Sequence, residues 1–208
     1  GDTLTIICGQ PGNCSSNQSS YARNNGAGAS LVQSSDLGLL LIAGGIGGAD
    51  YNNNLSTSNS LERAKHPTNS TQGSLGAAGN SFFDSNYPKY AQGGASLTTS
   101  PGTTSNSSYT SVVAPMPLNG AATGGTINYK HTEGGIMYGG FGGGGAGQSF
   151  RTSYSGAAGG GGGYSGGYAT DGRGGNGASY ISSLAVNSLY NTVSQNNMYG
   201  RVSIQRIG

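Results

Sequence analysis

Between Gly134 and Gly177 the chain reads GGIMYGGFGGGGAGQSFRTSYSGAAGGGGGYSGGYATDGRGGNG. This stretch rules out most ways of folding. Each Gly costs about 1 kcal/mol against Ala inside a helix, and here several stand in a row. A conventional strand gains little from residues that bring no side chain to pack. Two states are left. One is a disordered tether. The other is a set of extended helices with three residues per turn, of the polyproline II type. Without a Cβ such helices can approach until N–H···O and Cα–H···O contacts join neighbours. The flanks favour the second state, because β-like ends enclose the glycines.

Composition narrows the choice further. Gly contributes 42 of 208 residues, about three times the usual share. Charged residues make up 8%, well short of the ~25% of ordinary domains. Charge repulsion therefore does not drive disorder here. The nine Lys and Arg are scattered and the net charge is +2, so no basic stripe marks a nucleic-acid partner. The longest apolar run, Leu37–Ala43 (LGLLLIA), has strand length and is too short to span a membrane, so no direct membrane insertion is expected. The chain starts at Gly1 without Met, as expected of a processed mature form or an excised piece.

Taken in order, Asp2–Cys8 alternates and is rich in β-branched residues, which predicts a strand. Gly9–Gly12 turns the chain, and Ser15–Gly28 reads as an exposed polar loop. Ala29–Gln33 and Leu39–Ala43 read as strands around a turn at Ser34–Gly38. Uniform apolarity predicts that Leu39–Ala43 is buried on both faces. Gly44–Gly48 opens the glycine-rich part. Within the polar Asn52–Thr71 segment, Leu61–Lys65 is the one candidate helical turn, with Ser60 as cap and Pro67 as stop. Gly73–Gly79 and Gln92–Ala95 read as further glycine segments, and Thr98–Ser111 as a Ser/Thr-rich loop. Pro115 and Pro117 keep Val112–Leu118 extended. Gly124–Tyr129, Ala178–Ser182, Ala185–Leu189 and Arg201–Ile207 carry strand patterns. The glycines lack the strict three-residue period of collagen.

No motif points to catalysis. Ile42–Gly48 has the glycines of a dinucleotide loop but is followed by DYNNN, a poor helix start. Gly163–Gly167 (GYSGG) satisfies G-x-S-x-G, yet it lies inside glycine runs without the strand and helix a nucleophile elbow needs. His66 and His131 have no partner context, and the seven carboxylates are dispersed. The expectation is a non-enzyme with no cofactor and no metal site. Cys8 and Cys14 bracket the turn-forming GQPGN, and a small disulfide-closed loop is the expectation in an oxidising compartment. Five N-x-[ST] sequons begin at Asn13, Asn17, Asn54, Asn69 and Asn106. Their polar settings permit glycosylation, although a chain this rich in Asn, Ser and Thr supplies nearly as many by chance. Tyr138, Tyr164, Tyr168 and Tyr199 stand beside glycines. They can cap the glycine bundle or present contacts to a partner, and packing is the commoner role.

The residues resemble one family. Gly1–Gly12 (GDTLTIICGQPG), Leu39–Tyr51 (LLLIAGGIGGADY), Gly73–Gly79, Tyr90–Ala95, Gly139–Gly147 (GGFGGGGAG) and Gly159–Ser182 follow one another in a familiar order. It is that of the extracellular glycine-rich domain of the anaplastic lymphoma kinase and leukocyte tyrosine kinase receptors. The closing Tyr199–Ile207 (YGRVSIQRI) is similar to its last strand, so the resemblance spans nearly the whole chain. It implies a mostly β fold: a tumour-necrosis-factor-like β-sandwich with a glycine-rich polyproline-II-type bundle inserted between its strands. Residues 1–43 and 178–208 would form the sandwich part, and 44–177 the inserted bundle with its polar loops. In the receptors the domain binds cytokine-like proteins, partly through acidic side chains near its end. Here Asn196–Arg201 (NNMYGR) has no carboxylate, so no binding residue carries over. The family fold also has strands upstream of GD-x-L, and none precedes it in this sequence. The resemblance therefore implies a sheet edge covered by a cleaved-off portion that stays bound or by a strand of a neighbouring subunit.

The leading functional expectation is an extracellular, secreted or surface-displayed scaffold for adhesion, recognition or assembly. Its partners would be proteins, glycans or copies of itself. Two alternatives are a ligand-binding ectodomain fragment of a receptor tyrosine kinase, and a filament subunit completed by a neighbour's strand.

Overall fold

The computed structural model describes residues 1–14, 25–48, 76–84, 89–103, 109–129, 136–148 and 157–184. Among them the fold is mostly β, built of small antiparallel sheets, and no helix forms. The strands are β1 (Leu4–Ile7), β2 (Asn13–Cys14), β3 (Ser30–Ser34), β4 (Gly38–Ala43), β5 (Phe82–Asp84) and β6 (Lys89–Ala91). They continue with β7 (Tyr109–Val113), β8 (Thr126–Tyr129), β9 (Ile136–Tyr138), β10 (Ala157–Ala158), β11 (Thr170–Asp171) and β12 (Tyr180–Ile181). One four-stranded sheet has the order β1-β3-β4-β12 and the other β2-β9-β8-β7, with two-stranded ribbons β5-β6 and β10-β11.

Strands form where side chains interrupt the glycines. Ile136-Met137-Tyr138 and Thr170-Asp171 are such islands inside the Gly134–Gly177 stretch, and each finds an antiparallel partner. The sequence missed these and the β5-β6 ribbon, because two or three residues are too few to display an alternation. β7 likewise starts at Tyr109, inside the stretch expected to be loop. β4 corrects a second expectation. Only Ile42 is buried, Gly38–Leu41 are half-buried and Ala43 is exposed. Apolar runs buried on both faces belong to sheets covered by helices on both sides, and this sheet has none among the described residues. The candidate helical turn Leu61–Lys65 and the strand patterns Ala185–Leu189 and Arg201–Ile207 lie outside the described residues.

The glycine segments are joined side to side by backbone amides. Gly160 donates to Gln92 O, Gly161 to Gly175 O and Gly162 to Ala27 O; then Gly163 donates to Ala95 O and Tyr164 to Ala178 O. Successive residues thus address three different neighbours, and two of these neighbours, the Gln92 and Gly175 segments, recur three residues on. The same step relates Gly45 and Gly48 to Gly162 and Gly159, Gly26 and Ala29 to Gly145 and Gly142, and Gly174 and Gly177 to Gly48 and Gly45. A strand would return to one neighbour every second residue.

The close approach requires glycine. A Cβ on Gly28 would press within 3.0 Å of Phe141 O; one on Gly94 would meet Gly161 O, and one on Gly177 would meet Gly162 O. Asn25, Gly26 and Gly28 are buried in this lattice, which corrects the last four residues of the exposed loop expected over Ser15–Gly28; residues 15–24 lie outside the described residues. Buried backbone demands partners, and glycine repeats let neighbouring backbones supply them.

Apolar burial is divided among three small clusters. Tyr90, Tyr109, Ile127, Met137 and Ala146 lie under the β2-β9-β8-β7 sheet. Ala29, Leu31, Ile42, Leu118 and Ala122 lie under the other sheet, with Ile7, Tyr164 and Tyr180 at the margin. Ala91, Ala157 and Ala169 form the third, flanked by Phe82. Each cluster contains at least one residue flanking or within a glycine segment, so the lattice connects them.

Candidate interaction surface

β1 is an edge strand: it pairs with β3, and no described residue pairs with its other side. The register sets Leu4 opposite Ser34 and Ile6 opposite Val32, and Ser35 donates its N–H to Thr3 O at 2.9 Å. Bonded and unbonded pairs alternate in an antiparallel ladder. Thr3, Thr5 and Ile7 therefore direct their backbone groups to β3, while Leu4 and Ile6 direct theirs outward. The Leu4 and Ile6 side chains share one face and are 39% and 45% exposed. The opposite face of β1 opens on a groove of about 340 Å³ lined by Thr3, Thr5, Ile7, Leu31, Gln33, Leu118, Asn119 and Phe141 among others. Its walls are neutral hydroxyls and amides over an apolar floor.

The Asp2 carboxylate beside this edge is held in place. Both Asp2 carboxylate oxygens accept from Ser34 Oγ at 2.9 Å, and Oδ1 also lies 3.0 Å from Ser35 Oγ. The Ser34 hydroxyl is the main reason that Asp2 sits below its ordinary value of 3.8. Partial desolvation opposes the shift, and Ser35 adds to it. Ser34 Oγ also accepts the N–H groups of Asp36 and Leu37, which closes the β3-β4 turn.

The residues singled out by sequence fall in different places. Cys8, just past β1, is exposed and a free thiol, which departs from the expected Cys8–Cys14 bridge. The Cys14 side chain lies outside the described residues. Asn13 is in β2 opposite Tyr138, rather than in a loop. Asn17, Asn54, Asn69, Asn106, His66, His131 and Tyr199 lie outside the described residues. Tyr138 is 40% exposed on β9. Tyr164 is half-buried and stacks on Tyr180 of β12, with ring centroids 5.0 Å apart and planes at 17°. The half-buried Tyr168 ring lies where a Cβ on Gly175 would stand. Tyr164 and Tyr168 thus pack on the lattice, while Tyr138 is presented to solvent. Ser165, the serine of the G-x-S-x-G pattern, is buried and accepts the Gly76 N–H at 2.9 Å.

Three buried amides were not foreseen. Gln92 Oε1 accepts the Ala146 N–H at 3.1 Å, while its Nε2 donates to Val113 O at 2.7 Å. Gln148 Oε1 accepts the Tyr90 N–H and lies 3.3 Å from the Tyr109 hydroxyl. Asn25 Oδ1 accepts the Gly147 N–H at 2.8 Å, while Nδ2 donates to Asn13 O at 3.0 Å. Each tethers a glycine segment to the β2-β9-β8-β7 sheet or its core. Their position beside glycine (Gln92-Gly93, Gly147-Gln148, Asn25-Gly26) is the signal that could have found them.

Among the described residues no group of three or more His, Cys, Asp or Glu is placed to hold a metal ion, and no helix is long and apolar enough to cross a membrane. Neither models of known protein families nor curated protein sequences yield a match to this chain.

Proposed function

We propose that the chain is a non-enzymatic, extracellular scaffold module that presents rigid surfaces for adhesion, recognition or assembly. The observation that carries this reading is the amide lattice, in which Gly160–Tyr164 bonds to three neighbours with a three-residue recurrence. Three residues per turn is the period of the polyproline II helix. We accordingly read the glycine segments as a bundle of such helices, and the two four-stranded sheets as the layers of a tumour-necrosis-factor-like sandwich. The resemblance to the glycine-rich domain of the receptor kinases supports that arrangement, since the same segments occur in the same order.

The chemistry of the interior fits a structural role. The buried polar side chains among the described residues are amides and hydroxyls, and Asn25, Gln92, Gln148 and Ser165 are spent on backbone groups. Uncharged outer features suit protein contact: Tyr138 and Phe141 at 40% and 38% exposure, and the open β1 edge.

Native-state hydrogen exchange tests the scaffold. Amides of residues 160–164 should exchange as slowly as those of β3 and β8. Exchange at the rate of an unstructured glycine peptide would overturn the reading. A hydrolytic or transfer activity traced to named side chains of this chain would overturn its non-enzymatic part.

A further inference from the structure

We propose that β1 is a self-association surface, and that two copies join edge to edge about a two-fold axis through Thr5. This gives the assembly role proposed above a definite partner, a second copy of the chain. Four observations converge on it.

First, the outward backbone groups of Leu4 and Ile6 have no partner among the described residues. An unpaired edge is a template for another strand. Second, β1 carries none of the usual protection. It has no Lys, no Pro and no bulge, and the register shift lies instead between Val32 and Gln33, in the β3-β4 pairing.

Third, the strand is self-complementary. Placed antiparallel to itself about Thr5, Leu4 of one copy faces Ile6 of the other. Both are outward-directed, so the two positions form a bonded pair, and the symmetric pair repeats it. Thr5 faces its own copy as the unbonded pair. The exposed Leu4 and Ile6 side chains then cover one another across the axis, four apolar groups on one face. Fourth, charge does not oppose the contact. Asp2, already held by Ser34 and Ser35, comes opposite Cys8 of the other copy and not opposite a like charge. The result is one continuous eight-stranded sheet. A two-fold interface closes on itself and gives dimers, not filaments. Two four-residue strands bury less than the ~1,200 Å² of a standard interface, so the affinity is expected in the micromolar range or weaker.

Sedimentation of the whole chain should show monomer and dimer exchanging between about 10 μM and 1 mM. Ile6→Pro removes an outward N–H that β3 does not use, and an edge strand tolerates that loss. It should weaken association by about tenfold or more, since two symmetric bonds disappear. If Ile6→Pro fails to fold, Ile6→Lys serves the same purpose. Retained exchange protection in β3 verifies either variant.

Register is read by cross-linking in a Cys8→Ser background. Thr5→Cys should form an intermolecular disulfide on mild oxidation, because unbonded partners lie about 4.5 Å apart at Cα. Thr3→Cys should not, because it faces Ile7 of the other copy. A chain that stays monomeric to about 1 mM, or one that associates without the Thr5→Cys cross-link, overturns the proposal. Slow exchange at residues 160–164 in that same sample would leave the scaffold standing, so the two readings fail separately.

Discussion

Asp2 shows how one side chain can organise an exposed edge. It links the start of β1 to the β3-β4 turn through Ser34 and Ser35, and that contact holds its carboxyl below 3.8. A depressed carboxylate stabilises the fold above its unfolded value and loses that contribution as pH falls through the folded one. Unfolding by urea should therefore become easier as pH drops below 3.8, and Asp2→Asn should flatten the dependence in that window. An unchanged acid limb in Asp2→Asn would show that the contact does not matter to stability. Gln92 has more at stake, because it is fully buried and serves two backbone groups at once. Gln92→Leu leaves the Ala146 N–H and Val113 carbonyl without that partner. The expected loss is about 2–4 kcal/mol, measured as a shift in the urea midpoint at constant slope.

At the scale of the element, glycine acts by its absence of a side chain more than by its flexibility. Gly94 and Gly102 make the contrast. A Cβ on Gly94 would collide with the Gly161 carbonyl, whereas one on Gly102 meets nothing within 4 Å. Gly94→Ala should cost about 3 kcal/mol, since two bonded backbones must move apart. Gly102→Ala should be neutral or stabilising by up to about 1 kcal/mol, by narrowing the unfolded ensemble. Equal effects of the two in thermal unfolding would mean that the segments are not packed backbone to backbone. Positive φ is the exception: Gly142 and Gly143, at 101° and 82°, turn the chain beside the non-glycine Ala122 at 51°. The Ala122 carbonyl accepts both of their N–H groups.

For the whole molecule the lattice is the connection between small cores. None of the three apolar clusters is large, and each includes residues adjoining glycine segments, such as Ala29, Ala146 and Ala169. Ala29, next to β3, donates its N–H to Gly142 O, and Gly139 next to β9 donates to Gly125 O next to β8. Neither sheet can detach without breaking lattice bonds. Urea unfolding followed by tyrosine emission and by far-ultraviolet circular dichroism should give coincident curves. Two separated transitions would show that the sheets are independent of the glycines.

The local pattern of the chain determined a good deal by itself. Consecutive glycines forbid helix, and the local sequence at Leu4–Ile7, Ser30–Ser34 and Thr126–Tyr129 was enough to mark strands. Tertiary structure alone decided which segment lies beside which. Polyglycine has no side chains to distinguish one neighbour from another, so nothing in Gly159–Gly163 announces Ala27, Gln92 or Gly175 as its partners. The same limit hid the open edge of β1, the partial burial of β4 and the use of Gln92 and Gln148 as tethers. Each of these depends on what stands on the far side of a residue, and a linear pattern records only its neighbours along the chain.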